Sequence, residues 1–192
     1  SYKYGLDAAE LTNATISHDE INDVYIIDNL VKLTSDTHYH GPERGEEIAN
    51  YAYNYSVKKD AQDVYTASIA KTTSVYYYSG LRADQGATTE DAMTLSETYK
   101  CTDIDLKDKT LDGQAPNIQS ETIYHGDKAD EIADYAYTYQ VGTLNKKSTS
   151  VFFYTQSFTR AGDLTDTDVP MTRSLSYKYG LDAAELTNAT IS

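Results

Sequence analysis

The segment Asn50 to Val57, NYAYNYSV, alternates between tyrosine and a small or polar residue at nearly every step. Successive side chains of a β-strand point to opposite faces, so Tyr51, Tyr53 and Tyr55 share one face and Asn50, Ala52, Asn54 and Ser56 the other. DYAYTYQV, Asp134 to Val141, repeats the pattern with Tyr135, Tyr137 and Tyr139. SVYYYSG (with Tyr76 and Tyr78), SETIYHG, STSVFFYTQSF and SLSYKYG also read as strands, because aromatic and β-branched residues suit a pleated, half-buried surface. Gly5, Gly41, Gly80, Gly126 and Gly180 each close a tyrosine-bearing segment and mark turns. DAAEL and ADEIA have helical propensity but are too short to hold a helix alone, so they are expected to be turns or lead-ins to strands. Pro42, Pro116 and Pro170 fall in polar stretches expected to be loops. The pattern predicts an all-β fold of short antiparallel strands and hairpins, about 5–8 residues each.

The chain also repeats. Its first 17 residues, SYKYGLDAAELTNATIS, return letter for letter as its last 17, which sets a period of 175 residues. THYHG at Thr37 to Gly41 answers TIYHG at Thr122 to Gly126. EIANYAYNY from Glu47 answers EIADYAYTY from Glu131, and TTSVYYY from Thr72 answers STSVFFY from Ser148. Arg82-Ala83 answers Arg160-Ala161, and Tyr99-Lys100 answers Tyr177-Lys178. The order holds while the spacing drifts, as in stacked units with loops of varying length. Residues 1–175 are therefore read as one period. One half-repeat spans 34–118; the other spans 119–175 and continues as 1–33 of the next period. Residues 176–192 start that next period. A long array cut at an arbitrary register is the expected origin; matched termini for head-to-tail exchange is the alternative. Stacking such units would set tyrosines over one another at about 4.8 Å, in a solenoid or fibre whose edges are exposed only at its ends.

Composition changes the picture in two ways. Tyrosine numbers 19, against 3 Phe and no Trp, and each phenol needs water or a partner, so the packing is expected to be shallow rather than oily. The net charge of −14 opposes nucleic acid binding, favours solubility and attracts divalent cations. No segment approaches the roughly 20 apolar residues of a membrane helix, so the chain is not expected to span a membrane.

Candidate chemistry is sparse. His38 and His40 share a strand face in the predicted pattern and could hold zinc, but Ile123 stands at the position matching His38, so solvated histidines are expected. Asp163, Asp166 and Asp168, and likewise Asp103, Asp105 and Asp108, form acidic clusters that could take Ca²⁺ without matching an EF-hand; solvated loops are expected. Cys101 is the single cysteine, with Tyr179 at its matching position and no flanking base, so no thiol chemistry is expected of it. Asn13, Asn54 and Asn188 head glycosylation-type triplets. No catalytic residues and no cofactor are expected.

SYKYGLDAAELTNATIS resembles the tyrosine-rich YD-type repeat of Rhs and teneurin-like proteins, through Tyr2, Tyr4, Leu11 and Thr12. Gly5 stands where that repeat usually has Asp. The resemblance implies secreted or cell-surface β-hairpins wound into large shells. The expectation is a non-catalytic structural unit of an extracellular filament or cell-surface fibre, self-associating or covalently continued head to tail. The alternative is an adhesin stalk or Rhs-like shell that presents or encloses another domain.

Overall fold

The computed structural model describes residues 14–19, 24–27, 29–106 and 117–190. Gly5, Asn13, Asp108 and Pro116 lie outside the described residues, as do Tyr2, Tyr4, Leu11 and Thr12. A hairpin, β1 (Ile16–Asp19) and β2 (Val24–Ile27), precedes the main sheet. The main sheet is then built almost entirely by a meander: β3 (Ser35–His40), β4 (Ile48–Lys59), β5 (Tyr65–Tyr78), β6 (Met93–Tyr99), β7 (Ile118–His125), β8 (Ile132–Tyr139) and β9 (Lys146–Tyr154). Each strand pairs antiparallel with the next. Two-residue β10 (Thr159–Arg160) folds back on the end of β9, and β11 (Met171–Lys178) pairs along β9. The chain is mostly antiparallel sheet; among the described residues there are also one short helix, α1 (Ala183–Thr187), and three 3-10 turns.

β4 and β5, at 12 and 14 residues, exceed the expected 5–8. The alternation that marks a strand is interrupted in them by bulges between Asn54 and Tyr55 and between Ser56 and Lys58. A bulge adds an unpaired residue and increases local twist without ending the strand, so the sequence pattern stops before the strand does.

Register assigns the faces. Tyr51 lies opposite Val75, Tyr53 opposite Thr73, Tyr77 opposite Leu95 and Glu97 opposite Glu121. Tyr137 lies opposite both Glu121 and Thr149, and Tyr135 opposite Val151. These residues form one aromatic face. The other face carries hydroxyls that bond across strands: Asn54 donates to Thr72 and Ser74, and Ser74, Ser96, Thr138 and Ser150 contact Thr98, Tyr124, Ser148 and Ser176. Tyr76, one step from Val75, belongs to this second face, as does Tyr78.

The aromatic face holds the core in two clusters. Val75, Tyr99, Cys101 and Ile118 form one; Tyr137, Val151, Phe153, Leu186 and Ala189 form the other. Val75, Val151, Thr73 and Thr149 have no exposed surface. Two threonines can be buried there because each hydroxyl donates to a backbone carbonyl, Thr73 to Cys101 (2.9 Å) and Thr149 to Tyr179 (3.2 Å).

Turn glycines are steric necessities where the chain doubles back. Gly126 has φ 128°, and a Cβ there would stand 2.5 Å from the Asp130 carbonyl oxygen. Gly80 has φ 86° in the turn that closes Tyr78 against Leu81.

The segment LDAAELT departs from the expected turn. Asp182 caps α1 by accepting from the Glu185 amide, and Glu185 accepts from the Asp182 amide (both 2.8 Å). This capping box and the burial of Leu186 and Ala189 supply what five residues lack alone. ADEIA instead passes through a turn into β8, as expected.

Candidate functional site

Two segments cover the aromatic face, each following a strand that ends in the Tyr-Lys pair. After β6, residues 100–105 bring Cys101 and Ile104 onto Val75 and Tyr51, and the Tyr53 hydroxyl accepts from the Ile104 amide (3.2 Å). After β11, residues 179–190 lay Leu181, Leu186 and Ala189 on Tyr137, Val151 and Phe153, and the Tyr137 hydroxyl donates to the Leu181 carbonyl (3.1 Å). Lys146 stands 3.2 Å above the Tyr137 ring, a cation–π contact at the rim.

Among the described residues, tyrosine rings contact one another along a strand, while Tyr77 on β5 hydrogen-bonds Tyr99 on β6. The Tyr51 and Tyr53 rings are 5.3 Å apart at 61°, and Tyr135 and Tyr137 are 5.3 Å apart at 64°. Across strands, register gives Tyr51 and Tyr135 a valine each, and Tyr53 and Tyr137 a threonine each. The partner of Tyr51 on β3 is His38, stacked at 4.4 Å.

His38 is thus held within β3. Its Nε2 is 3.0 Å from the Asp36 carboxylate, and its Nδ1 is 3.2 Å from the Tyr51 hydroxyl. A carboxylate only accepts, so Nε2 carries the proton and Tyr51 donates to Nδ1. Burial, with Tyr53 and Asp36 nearby, pushes the Tyr51 phenol up to about 12, which keeps it neutral. The extra residue of the bulge opposite His38 and Tyr39 is Asn50 on β4, so His38 and His40 remain two steps apart on β3; His38 is engaged by Asp36 and Tyr51, while His40 is exposed at the strand's end. Asp36, His38, Tyr53 and Tyr55 form one wall of a cleft of about 520 Å³, and Ile16, Ile26 and Ile27 of the hairpin form another.

At the middle of the face, Glu97 and Glu121 are direct cross-strand neighbours. Each accepts from a phenol: Tyr99 to Glu97 (2.6 Å) and Tyr139 to Glu121 (2.7 Å). Burial and these carboxylates push the Tyr139 phenol well up, and burial and Glu97 do the same for Tyr77. The carboxylates act here as acceptors that hold protonated phenols in place.

A third cluster lies beside the second covering segment. Asp134, buried at the start of β8, takes both ends of the Arg160 guanidinium (2.9 and 2.5 Å). Arg160 also donates to the Leu186 carbonyl (2.7 Å), tying β8 to α1. His125 Nε2 lies 3.6 Å from Asp134, and a cleft of about 340 Å³ opens over His125, Asp134, Arg160 and Asp163. At the matching place in the other half, Asn50 accepts from Arg82 (3.2 Å). Sequence reasoning passed over Asp134 and Arg160; the EIAN/EIAD difference and the Arg-Ala pairs were the available signal.

Other sequence candidates are dispersed. Asp163 belongs to a 3-10 turn, while Asp166 and Asp168 lie in the loop beyond, Asp166 accepting from the Asp168 amide. Asp103 likewise accepts from the Asp105 amide. Among the described residues no group of three or more acidic, histidine or cysteine side chains is placed to hold a metal ion. Cys101 is buried in the first core cluster. The Asn54 amide nitrogen is engaged by Thr72 and Ser74, and that of Asn188 donates to the Ala184 carbonyl. Gly41 packs against the Glu46 backbone and Gly180 against the Lys146 side chain. No helix among the described residues is long and apolar enough to cross a membrane.

No protein-family model matches the chain, and neither a curated protein nor a solved structure is similar to it.

Proposed function

We propose that this chain is a structural unit of an extracellular filament or cell-surface fibre, in which successive 175-residue periods continue one antiparallel sheet. The observation that carries the reading is a set of matched irregularities. The bulge between His38 and Tyr39 has its counterpart between Ile123 and Tyr124. Those between Asn54 and Tyr55 and between Tyr77 and Tyr78 have counterparts at Thr138–Tyr139 and at Met171–Arg173. Val75 and Val151, Thr73 and Thr149, and Ala83 and Ala161 are buried alike. Bulges set local twist, so units with bulges at equivalent places twist alike and can follow one another at a constant angle.

Hydrogen-bonded phenols, aromatic contacts and a buried ion pair are devices for holding a thin sheet together. Acidic charge keeps a long assembly soluble. The test is electron microscopy with diffraction. Among the described residues each period contributes eight strands across the sheet, β3 to β9 and β11, so an axial repeat near 38 Å is expected at about 4.8 Å per strand. Discrete particles with no axial repeat would refute the proposal.

A further inference from the structure

Among the described residues, the two outermost strands of the main sheet match, in sequence, the two strands that pair at its centre. β11 matches β6 through the Tyr-Lys pair, and β3 matches β7 through THYHG and TIYHG. β6 and β7 are neighbours; β3 forms one end of the sheet, and β11 lies along β9 at the other. Resting on the array reading above, we infer that β11 of one copy pairs antiparallel with β3 of the next, in the register of the β6–β7 junction.

That register can be written out. At the centre, Leu95 faces Ile123, Ser96 faces Thr122, Glu97 faces Glu121 and Tyr99 faces Ile118. Transferred by the sequence match, Arg173 faces His38, Ser174 faces Thr37, Leu175 faces Asp36 and Tyr177 faces Leu33. The transferred pairs are chemically complementary. A hydroxyl meets a hydroxyl on the polar face, extending the cross-strand contacts that end at Ser176 and Asn54. An aromatic meets an aliphatic at the end of the pair, as Tyr99 meets Ile118. The like-charged glutamates are replaced by Leu175 and Asp36, and Arg173 comes diagonal to Asp36, within reach of a long side chain. Arg173 is exposed and rests over the Phe158 ring at 4.8 Å, so it can turn towards a partner without leaving a buried site. Edge strands extend in this way by main-chain hydrogen bonds, with alternate side chains setting the register.

The occupant is a second copy of this chain, and the test uses the full chain. Ser174→Cys and Thr37→Cys are made as separate variants and mixed under mild oxidation. A directly facing cross-strand pair has the Cβ separation a disulfide needs, whereas a partner two residues away does not. The expected result is a disulfide heterodimer at about tenfold the yield of a Ser174→Cys and Ser35→Cys mixture, the off-register control. Buried Cys101 remains in all variants, and the unmodified chain, expected to give no cross-link, sets the baseline. Arg173→Glu added to Ser174→Cys should lower the yield, and circular dichroism checks that each variant is folded. Equal yields in the two mixtures, or none, would overturn the register. If cross-linking fails while sedimentation shows the unmodified chain forming long assemblies, the register is wrong and the array reading stands. If the unmodified chain stays monomeric at every concentration and neither mixture cross-links, both fall.

Discussion

Replacing Arg160 by methionine isolates the most consequential polar contact in the molecule. Asp134 is 5% exposed at its side chain and Arg160 16%, so the pair sits largely out of water. Removing one member of such a pair leaves an uncompensated charge and costs about 3–5 kcal/mol. The Leu186 carbonyl loses its donor as well, which adds about 1 kcal/mol. Residual exposure of the arginine, and His125 at 3.6 Å from Asp134, pull the total back to roughly 3–4 kcal/mol. For a chain of this size that lowers Tm by roughly 6–16 °C.

The opposite change, Asp134→Asn, has a built-in precedent, because Asn50 already serves Arg82 in the other half. It keeps one acceptor and leaves a partly exposed guanidinium, so it should cost only about 1–2 kcal/mol. The double variant removes the stranded carboxylate and should regain about 1–2 kcal/mol of the Arg160→Met loss. Urea unfolding followed by tyrosine fluorescence measures all three, since the chain has no tryptophan to mask the signal. Amide exchange should also quicken at Leu186 to Ala189, the segment that Arg160 fastens. A loss below about 1 kcal/mol for Arg160→Met, or equal losses for the two single variants, would refute the reasoning.

Alkali should unfold the protein through its phenols. Burial raises the folded-state pKa of Tyr51 to about 12, and Tyr77 and Tyr139 shift the same way. The unfolded phenols ionise near pH 10, so the unfolded state releases protons first and stability, intact below pH 10, falls as pH rises towards 12. Phenolate absorbance should rise together with loss of the sheet spectrum; early ionisation of all tyrosines in an intact sheet would contradict this. Gly126→Ala meets both a positive φ and the Asp130 carbonyl and should cost about 2–4 kcal/mol, whereas Gly45→Ala, with a positive φ (91°) but open space around it, should cost about 1–2 kcal/mol. Glu97→Gln relieves the facing pair with Glu121 while keeping an acceptor for Tyr99, and should raise stability by about 0.2–1 kcal/mol at low salt, with the gain shrinking as salt is added.

Period-two alternation made β4 and β8 legible, because their tyrosines line a face whose opposite side is small and polar. It failed at the first 10 residues of β5, YTASIAKTTS, which carry no aromatic run and are held by register with β4. It also placed Tyr76 and Tyr78 in one class with Tyr51, Tyr53, Tyr55, Tyr135, Tyr137 and Tyr139. Tyr76 and Tyr78 follow one another at the same spacing as Tyr51 and Tyr53, yet they lie on the hydroxyl face, a distinction set by which residue pairs with Val75's neighbours. The Asp134–Arg160 pair was passed over because its members lie 26 residues apart and meet only through the fold; the matched EIAN/EIAD and Arg-Ala positions mark each residue but not their contact.

The acidic segment after each strand-closing glycine poses the sharper case. GLDAAEL and GDKADEI look alike, with acidic and alanine residues leading to Glu-Leu or Glu-Ile. Propensity alone treats them equally. Their fates separate at the last position: Leu186 enters the core under α1, while Ile132 is the first residue of β8. What precedes decides the difference. Gly126 turns β7 tightly back on itself, so only six residues separate His125 from its ladder partner Ile132, and a helix has no room. After β11 the Tyr179 amide bonds the Lys147 carbonyl, and the chain lies across Tyr137 and Phe153, where a capped turn of helix buries two apolar side chains. The helix of Ala183–Thr187 therefore owes its existence to the face it covers. The synthetic 17-residue peptide, which has no such face, should show no helical circular dichroism in water.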